Sequence, residues 1–134
     1  MTVRGEQRSY ESSLLLLPTP QVWGKQILIE TPGKNYTSAD YEILFGESNF
    51  QNGFERYQLI GNLTADLIPP GVDTIHMYGI NVDTGTSFRY LSNNDFDSEP
   101  ETINGNGDGN ILQLMNQYMK TYFQNINPFN FCFP

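Results

Sequence analysis

The segment from Asn104 to Gly109, which reads Asn-Gly-Asn-Gly-Asp-Gly, constrains the fold of this chain more than any other. Glycine lacks a Cβ atom and loses more backbone entropy on folding than other residues. Three glycines alternating with Asn and Asp therefore predict a loop and not the interior of a helix or strand. Such a loop presents its backbone and one carboxylate, that of Asp108, and a plain glycine turn is the simplest alternative.

The residues on either side of this loop predict an α/β arrangement. The apolar run from Thr74 to Tyr78 predicts a buried strand, and a polar loop containing Gly79 and Gly85 separates it from a second short strand, Ser87 to Leu91. Apolar residues then recur at helical spacing from Ile111 to Phe123 and predict a core-facing helix. This order is typical of α/β sheets, in which a catalytic acid follows the carboxyl end of a strand.

The first half of the chain predicts one strand and several short helices. The sequence from Thr37 to Asp40 is expected to begin a helix, because its hydroxyls accept free amide protons and its carboxylate complements the helix dipole. Gly46 is expected to cap that helix. The other predicted elements are a helix from about Gln7 to Leu16, a strand from Gln26 to Glu30, and a helix from Phe54 to Leu67; the apolar faces are Tyr41, Leu44 and Phe45, then Tyr57, Ile60 and Leu63.

Composition narrows the class of partner and site. The 134 residues suffice for one domain with a thin core. A net charge of -8 disfavours nucleic acid, because phosphate binding needs a Lys/Arg surface, whereas a neutral lipid surface stays compatible. A single cysteine, Cys132, excludes an internal disulfide and a Cys-based zinc site. The single histidine, His76, is expected to be a packed strand residue, and neither a metal nor a cofactor is expected.

Targeting signals are sparse. The four apolar residues from Leu14 to Leu17 are far too few for a signal peptide or a membrane span, so neither is predicted. The Asn-x-Thr sequons at Asn35 and Asn62 would be glycosylated only in the secretory pathway. The tail from Pro128 to Pro134, with three Phe residues, is expected to be an apolar edge left by truncation, with membrane contact as the alternative.

Five groups of residues stand out by their order and spacing. They are Arg4-Gly5-Glu6-Gln7-Arg8-Ser9 with Leu16-Leu17-Pro18; Thr31-Pro32 with Asn35-Tyr36-Thr37-Ser38-Ala39-Asp40-Tyr41; Pro69-Pro70-Gly71-Val72 with Tyr78-Gly79; Ser87-Phe88-Arg89-Tyr90; and Gly105-Asn106-Gly107-Asp108-Gly109-Asn110-Ile111. Together they resemble the lecithin:cholesterol acyltransferase family, which includes lysosomal phospholipase A2-like enzymes. The resemblance covers nearly the whole chain.

The resemblance implies an α/β-hydrolase fold with a Ser, Asp and His triad in chain order, in which Asp orients the His that activates Ser. It places the triad Asp at Asp108. The partners do not occur: the segment from Gly46 to Phe50 lacks the second glycine of a nucleophile elbow and is expected to close a helix, and His76 precedes Asp108 whereas the family's His follows it. We therefore expect a partial α/β-hydrolase domain, with residues 1–67 as cap or lid-like and connecting elements, 68–123 as strand, catalytic-acid loop and helix, and 124–134 as an atypical tail.

Some residues depart from the family pattern. Asn106 and Asn110 replace an Asp and a Thr of the acid loop. His76 and Met119 stand where similar animal proteins have a disulfide-bonded Cys pair, so the resemblance implies that this staple is absent.

Two acidic or amide-rich stretches have competing interpretations. Asn104, Asn106, Asp108, Gly109 and Ile111 match positions of an EF-hand calcium loop, but the final ligand position falls on Met115, which supplies no carboxylate. The acidic residues before the loop are expected to be solvated, with cation binding as the alternative; they are Asp95, Asp97, Glu99 and Glu101.

Two functional hypotheses follow. The resemblance implies a segment of a lipid O-acyltransferase or phospholipase, which moves an acyl group from a phospholipid through a Ser acyl-enzyme to an alcohol or water, with Asp108 as its triad acid. It implies a secreted, lysosomal or endomembrane parent acting at a membrane or lipoprotein surface, with the missing N-terminal half or a complementing chain as partner. The alternative is a non-catalytic remnant or binding module that retains the scaffold, with at most a weak calcium-binding loop.

Overall fold

The computed structural model of the protein describes residues 8–61, 63, 71–72, 77–93 and 95–112. Within them the fold is mixed α/β, with short helices beside a four-stranded sheet. The elements in chain order are α1 (Glu11–Leu15), α2 (Pro20–Trp23), β1 (Ile27–Glu30), β2 (Asn35–Thr37), a 3-10 turn (Ser38–Asp40), α3 (Tyr41–Glu47), α4 (Gln51–Gly61), β3 (Val82–Arg89) and β4 (Glu101–Gly107).

The sheet has the strand order β2-β1-β3-β4. Strands β1 and β2 are antiparallel, as are β3 and β4, while β1 and β3 are parallel and pair at Ile29 with Phe88 and at Glu30 with Arg89. Parallel neighbours need a long crossover connection, and here that connection contains α3 and α4. The α/β character expected from the sequence is therefore present, although the parallel pairing is short.

The hydrophobic core lies between the helices and β1. Leu14, Leu28, Tyr41 and Phe45 form its buried cluster. The predicted faces of both helices pack here, because Leu44, Tyr57 and Ile60 lie against the same cluster, whereas Leu63 is 75% exposed. Aromatic rings pack edge to face within it: the centroids of Tyr41 and Tyr57 are 5.2 Å apart, and those of Phe45 and Phe50 are 5.6 Å apart.

The start of α3 was predicted correctly and its end was not. Thr37 and Asp40 form a capping box, in which the Thr37 amide donates to Asp40 Oδ2 at 2.9 Å and Thr37 Oγ1 accepts from the Ala39 amide at 3.3 Å. Gly46 does not cap the helix. It lies inside α3, and the chain leaves the helix at Ser48 and turns at Asn49, whose φ is +55°.

Helix lengths differ from the sequence expectations at both ends. Helix α1 covers only Glu11–Leu15, and α4 begins at Gln51 instead of Phe54. Gly53 lies in the first turn of α4, where a Cβ atom would overlap the ring of Phe50. Polar residues thus occupy the first turn of α4, where apolar spacing carried no signal.

The predicted strand from Thr74 to Tyr78 is wrong where it can be examined. Met77 and Tyr78 belong to no strand, and Met77 is 68% exposed. The second predicted strand is longer and starts earlier, since β3 covers Val82–Arg89 and includes Gly85. Alternating β-branched residues at Val82, Thr84 and Thr86 are the signal that the prediction overlooked.

The prediction that the Asn-Gly segment excludes a strand is also wrong. Strand β4 includes Asn104 through Gly107 and forms seven antiparallel pairs with β3, from Val82 with Gly107 to Arg89 with Glu101. The glycines fit because β3 approaches closely: a Cβ atom at Gly105 would lie 2.5 Å from Thr86 Cγ2. Pairing with β3 overrides the weak strand propensity of Gly and Asn.

Glu101 is likewise not part of a solvated loop. Its carboxylate lies 3.2 Å from Arg89 Nη1, and the same guanidinium meets Glu30 at 2.8 Å, so one cation joins β1, β3 and β4. Such exposed pairs contribute little to stability. Asp95, Asp97 and Glu99 do lie outside the strands and are exposed.

Several predictions fall outside the described residues. These are His76, the sequon at Asn62, the helix beyond Leu112 including Met119, Cys132 and the tail. Within the described residues, every helix is too short or too polar to span a lipid bilayer.

Candidate functional site

Asp108 lies directly after the last residue of β4, a strand that the sequence analysis had assigned to a loop. It bridges to Val82 at the start of β3, and its amide donates to the Ile111 carbonyl at 3.2 Å. Gly109 adopts a φ of +99°, which is accessible to glycine and strained for other residues. The chain thus turns sharply after Asp108, and Leu112 pairs back onto Gly107.

The turn holds one carboxylate oxygen of Asp108. Oδ1 accepts hydrogen bonds from the backbone amides of Ile111 at 2.6 Å and Asn110 at 2.9 Å. These donors, Ile111 first, lower the pKa of Asp108 below the ordinary Asp value, because they stabilise the charged form. The partly exposed carboxylate is therefore ionised at neutral pH. No donor among the described residues reaches Oδ2, so this oxygen is available as an acceptor.

Neither departure from the family loop pattern removes these contacts. Asn110 donates through its backbone, so its side chain is not required. Asn106 faces Asn81: Oδ1 accepts from the Asn81 amide at 2.7 Å, and Nδ2 donates to Asn81 Oδ1 at 3.3 Å. This amide pair joins the segment before β3 to the last residues of β4.

Gly79 allows that segment to pass against the acid. A Cβ atom at Gly79 would lie 2.9 Å from Asp108 Cβ, so any larger residue would displace one of the two segments of backbone. The close approach to Asp108 explains why the Tyr78-Gly79 motif has glycine at its second position. The sequence analysis assigned Gly79 only to a loop and missed this contact.

The other candidate groups are not assembled at Asp108. Ser48 ends α3, where its hydroxyl donates to the Phe45 carbonyl at 3.2 Å, so the segment closes a helix as predicted. His76 lies outside the described residues. Asn104 and Asn106 lie in an extended strand, a geometry unlike the wrapped loop of an EF-hand. The described part of the chain contains no group of three or more His, Cys, Asp or Glu residues placed to hold a metal ion.

Comparison with known proteins identifies the family. No family model matches the chain. "Lysosomal phospholipase A and acyltransferase" of Rattus norvegicus is 36% identical over 112 residues, which cover 83% of this chain and 27% of the relative. "Phosphatidylcholine-sterol acyltransferase" of Gallus gallus is 30% identical over 121 residues, covering 90% and 29%. "Lecithin-cholesterol acyltransferase-like 1" of Arabidopsis thaliana is 35% identical over 114 residues, covering 83% and 26%.

The chain belongs to the lecithin:cholesterol acyltransferase family. The relatives are named as acyltransferases and phospholipases, so the family is enzymatic, and the resemblance drawn from the sequence motifs is confirmed. The chain spans only about a quarter of the length of the curated relatives it matches. The described elements are compatible with part of an α/β fold.

Proposed function

We propose that this chain is a segment of a phospholipid O-acyltransferase or phospholipase with an α/β-hydrolase fold, and that it contributes the triad acid, Asp108. One observation carries the proposal. In a chain of this family, an ionised carboxylate follows a strand, with Oδ1 held by two backbone amides and Oδ2 left without a donor among the described residues. That arrangement suits a group that must accept one hydrogen bond in a fixed direction.

In the proposed mechanism Asp108 acts through a histidine. Its Oδ2 accepts the imidazole Nδ1–H, which fixes the tautomer whose Nε2 takes the proton from a serine hydroxyl. The serine attacks the acyl carbonyl of a phospholipid, and the acyl-enzyme then transfers its acyl group to an alcohol or to water. The chain has no Gly-x-Ser-x-Gly sequence and no histidine after Asp108, so we assign both partners to a part of the enzyme that these 134 residues do not span.

The remaining proposals concern the setting of the parent enzyme. The sequon residue Asn35 is exposed at the start of β2, where a glycan would be accommodated, which supports a secreted, lysosomal or endomembrane location. We propose phospholipid and an acceptor alcohol at a membrane or lipoprotein surface as the substrates. The assignment of residues 1–67 to cap and connecting elements stays a prediction, and β1 and β2 of that region share the sheet with β3 and β4.

A chimera tests the proposal. In the Rattus norvegicus relative, the 112 matching residues would be replaced by those of this chain, and acyl release and transfer would be measured on phosphatidylcholine vesicles with an added alcohol. We expect Asp108→Asn to lower kcat by about 10⁴-fold, because the substitution favours the wrong histidine tautomer. Asp83→Asn is the matched control, since Asp83 is an exposed acid on the neighbouring strand.

The outcomes separate the two functional hypotheses. An active chimera that keeps its rate with Asn at position 108 would exclude Asp108 as the triad acid. A chimera that folds but is as inactive as its Asp108→Asn variant would favour the non-catalytic scaffold.

A further inference from the structure

A buried hydroxyl lies beneath the Asp108 turn. Thr84, in β3, is 3% exposed, although most of its neighbours on that strand are accessible. Its Oγ1 donates to the Val82 carbonyl at 3.0 Å and accepts from the Gly109 amide at 2.9 Å. The hydroxyl therefore links the strand to the residue that immediately follows Asp108.

The contact between Thr84 and the turn is close enough to require glycine at position 107. A Cβ atom there would overlap Thr84 Oγ1 and would lie 2.5 Å from the Ile111 carbonyl oxygen. Gly107 itself is buried. The turn therefore contacts Thr84 directly.

Gly109 is the residue at which the backbone turns after Asp108. It separates Asp108 from the two residues, Asn110 and Ile111, whose amides hold the carboxylate. Because it has no Cβ atom, Gly109 can adopt its φ of +99° and many other conformations, and a hydrogen bond to a fixed acceptor restricts that freedom. Threonine suits this role because its branched Cβ restricts χ1 and so fixes the direction of Oγ1.

We propose that Thr84 is a positioning residue for Asp108: its hydroxyl fixes Gly109 and thereby holds the turn that directs the carboxylate. The catalytic consequence of this inference rests on the proposed role of Asp108 as triad acid. The turn itself, however, can be tested in the chain alone.

The first test uses the full 134-residue chain labelled for NMR, with Thr84→Val, Thr84→Ser and the control Thr86→Val. Thr86 lies on the same strand, and its Oγ1 donates to the Ile103 carbonyl across the same hairpin at 2.8 Å, so its variant removes a comparable hydrogen bond away from the turn. In Thr84→Val we expect amide exchange at Gly109, Asn110 and Ile111 to rise about 10-fold and the pKa of Asp108 to move up toward its ordinary value.

Thr84→Ser should retain most of the protection, since it keeps the hydroxyl. Amide exchange in the rest of β3 serves as the check that each variant is folded. If Thr84→Val leaves the Gly109 amide and the Asp108 titration as they are in Thr86→Val, the inference is overturned.

The second test uses the chimera. We expect Thr84→Val to lower kcat by up to about 100-fold with little change in KM, because a displaced acid impairs the chemical step and not substrate binding. Full activity of Asp108→Asn would overturn the proposed function, while the NMR result would still decide whether Thr84 holds the turn. Loss of activity in Asp108→Asn, with equal kcat in Thr84→Val and Thr86→Val, would overturn the inference alone.

Discussion

Two aspartates in this chain accept hydrogen bonds from residues close to them in sequence. Asp108 accepts from two amides of its turn, and Asp40 accepts from the amide of Thr37 at 2.9 Å and from its hydroxyl at 2.8 Å. In both residues these donors lower the pKa of the carboxyl, for Asp40 chiefly through the Thr37 amide. The contacts of Asp40 lie at the start of a helix, and those of Asp108 order a candidate site.

This similarity predicts acid sensitivity. Because the pKa of each carboxyl is lower in the folded than in the unfolded chain, its contribution to stability is present above the unfolded Asp pKa of about 3.9 and is lost as pH falls through the folded value. We expect the free energy of unfolding, measured with urea, to fall between about pH 5 and pH 3.

The Asp40→Asn variant should show a weaker dependence on pH over that range, because it cannot lose the charge at position 40. Carboxyl NMR titration would report the two groups directly. A pKa of Asp40 at or above the ordinary value would contradict the prediction.

At the scale of elements, the glycines have different structural roles, which the sequence alone does not distinguish. Gly46 lies inside α3 with open space where a Cβ atom would stand and without a positive φ. Gly53 lies under Phe50, and Gly107 lies on Thr84. A glycine near a helix end is often a cap, and that general tendency led to the wrong expectation for Gly46.

Substitution at Gly46 tests this correction. We expect Gly46→Ala to raise the free energy of unfolding by about 0.5–1 kcal/mol, because alanine restricts the unfolded chain and favours helix without a clash. Gly53→Ala, in the next helix, is the contrasting variant and should be destabilising because its Cβ atom would overlap the Phe50 ring. Urea unfolding measures both changes. Destabilisation by Gly46→Ala would restore the capping role.

At the scale of the whole molecule, the chain is a minor part of the relatives it matches, covering 27% of the Rattus norvegicus protein. Among the described residues, β2 and β4 are the outer strands of the sheet, and β1 and β3 form two parallel residue pairs. The described elements are compatible with part of an α/β fold.

The proposed mechanism predicts that the purified chain by itself has no esterase turnover above the blank. An acid alone neither attacks a carbonyl nor shuttles a proton, and no Gly-x-Ser-x-Gly elbow exists in these residues. Release of nitrophenol from a short-chain ester would be measured with pure chain and with Asp108→Ala. Turnover that the substitution abolishes would show that the chain carries a complete site of its own.

Local signals allowed much of the first half of the chain to be predicted from sequence. The capping box of Thr37 and Asp40 and the strand that becomes β1 were identified from short stretches of sequence. The extent of β3 and β4 could not be predicted in this way, because Asn and Gly form strands only when a partner supplies the hydrogen bonds.

The sequence by itself determined the family, through motifs whose order and spacing survive in the chain, and it determined which residue is the candidate acid. The tertiary structure alone decided how that acid is held. Thr84 and Gly79 lie 24 and 29 positions before Asp108, and only the hairpin and its preceding segment bring them beside it. Sequence patterns report local periodicity, whereas a hydroxyl beneath a turn requires two distant stretches of backbone to meet.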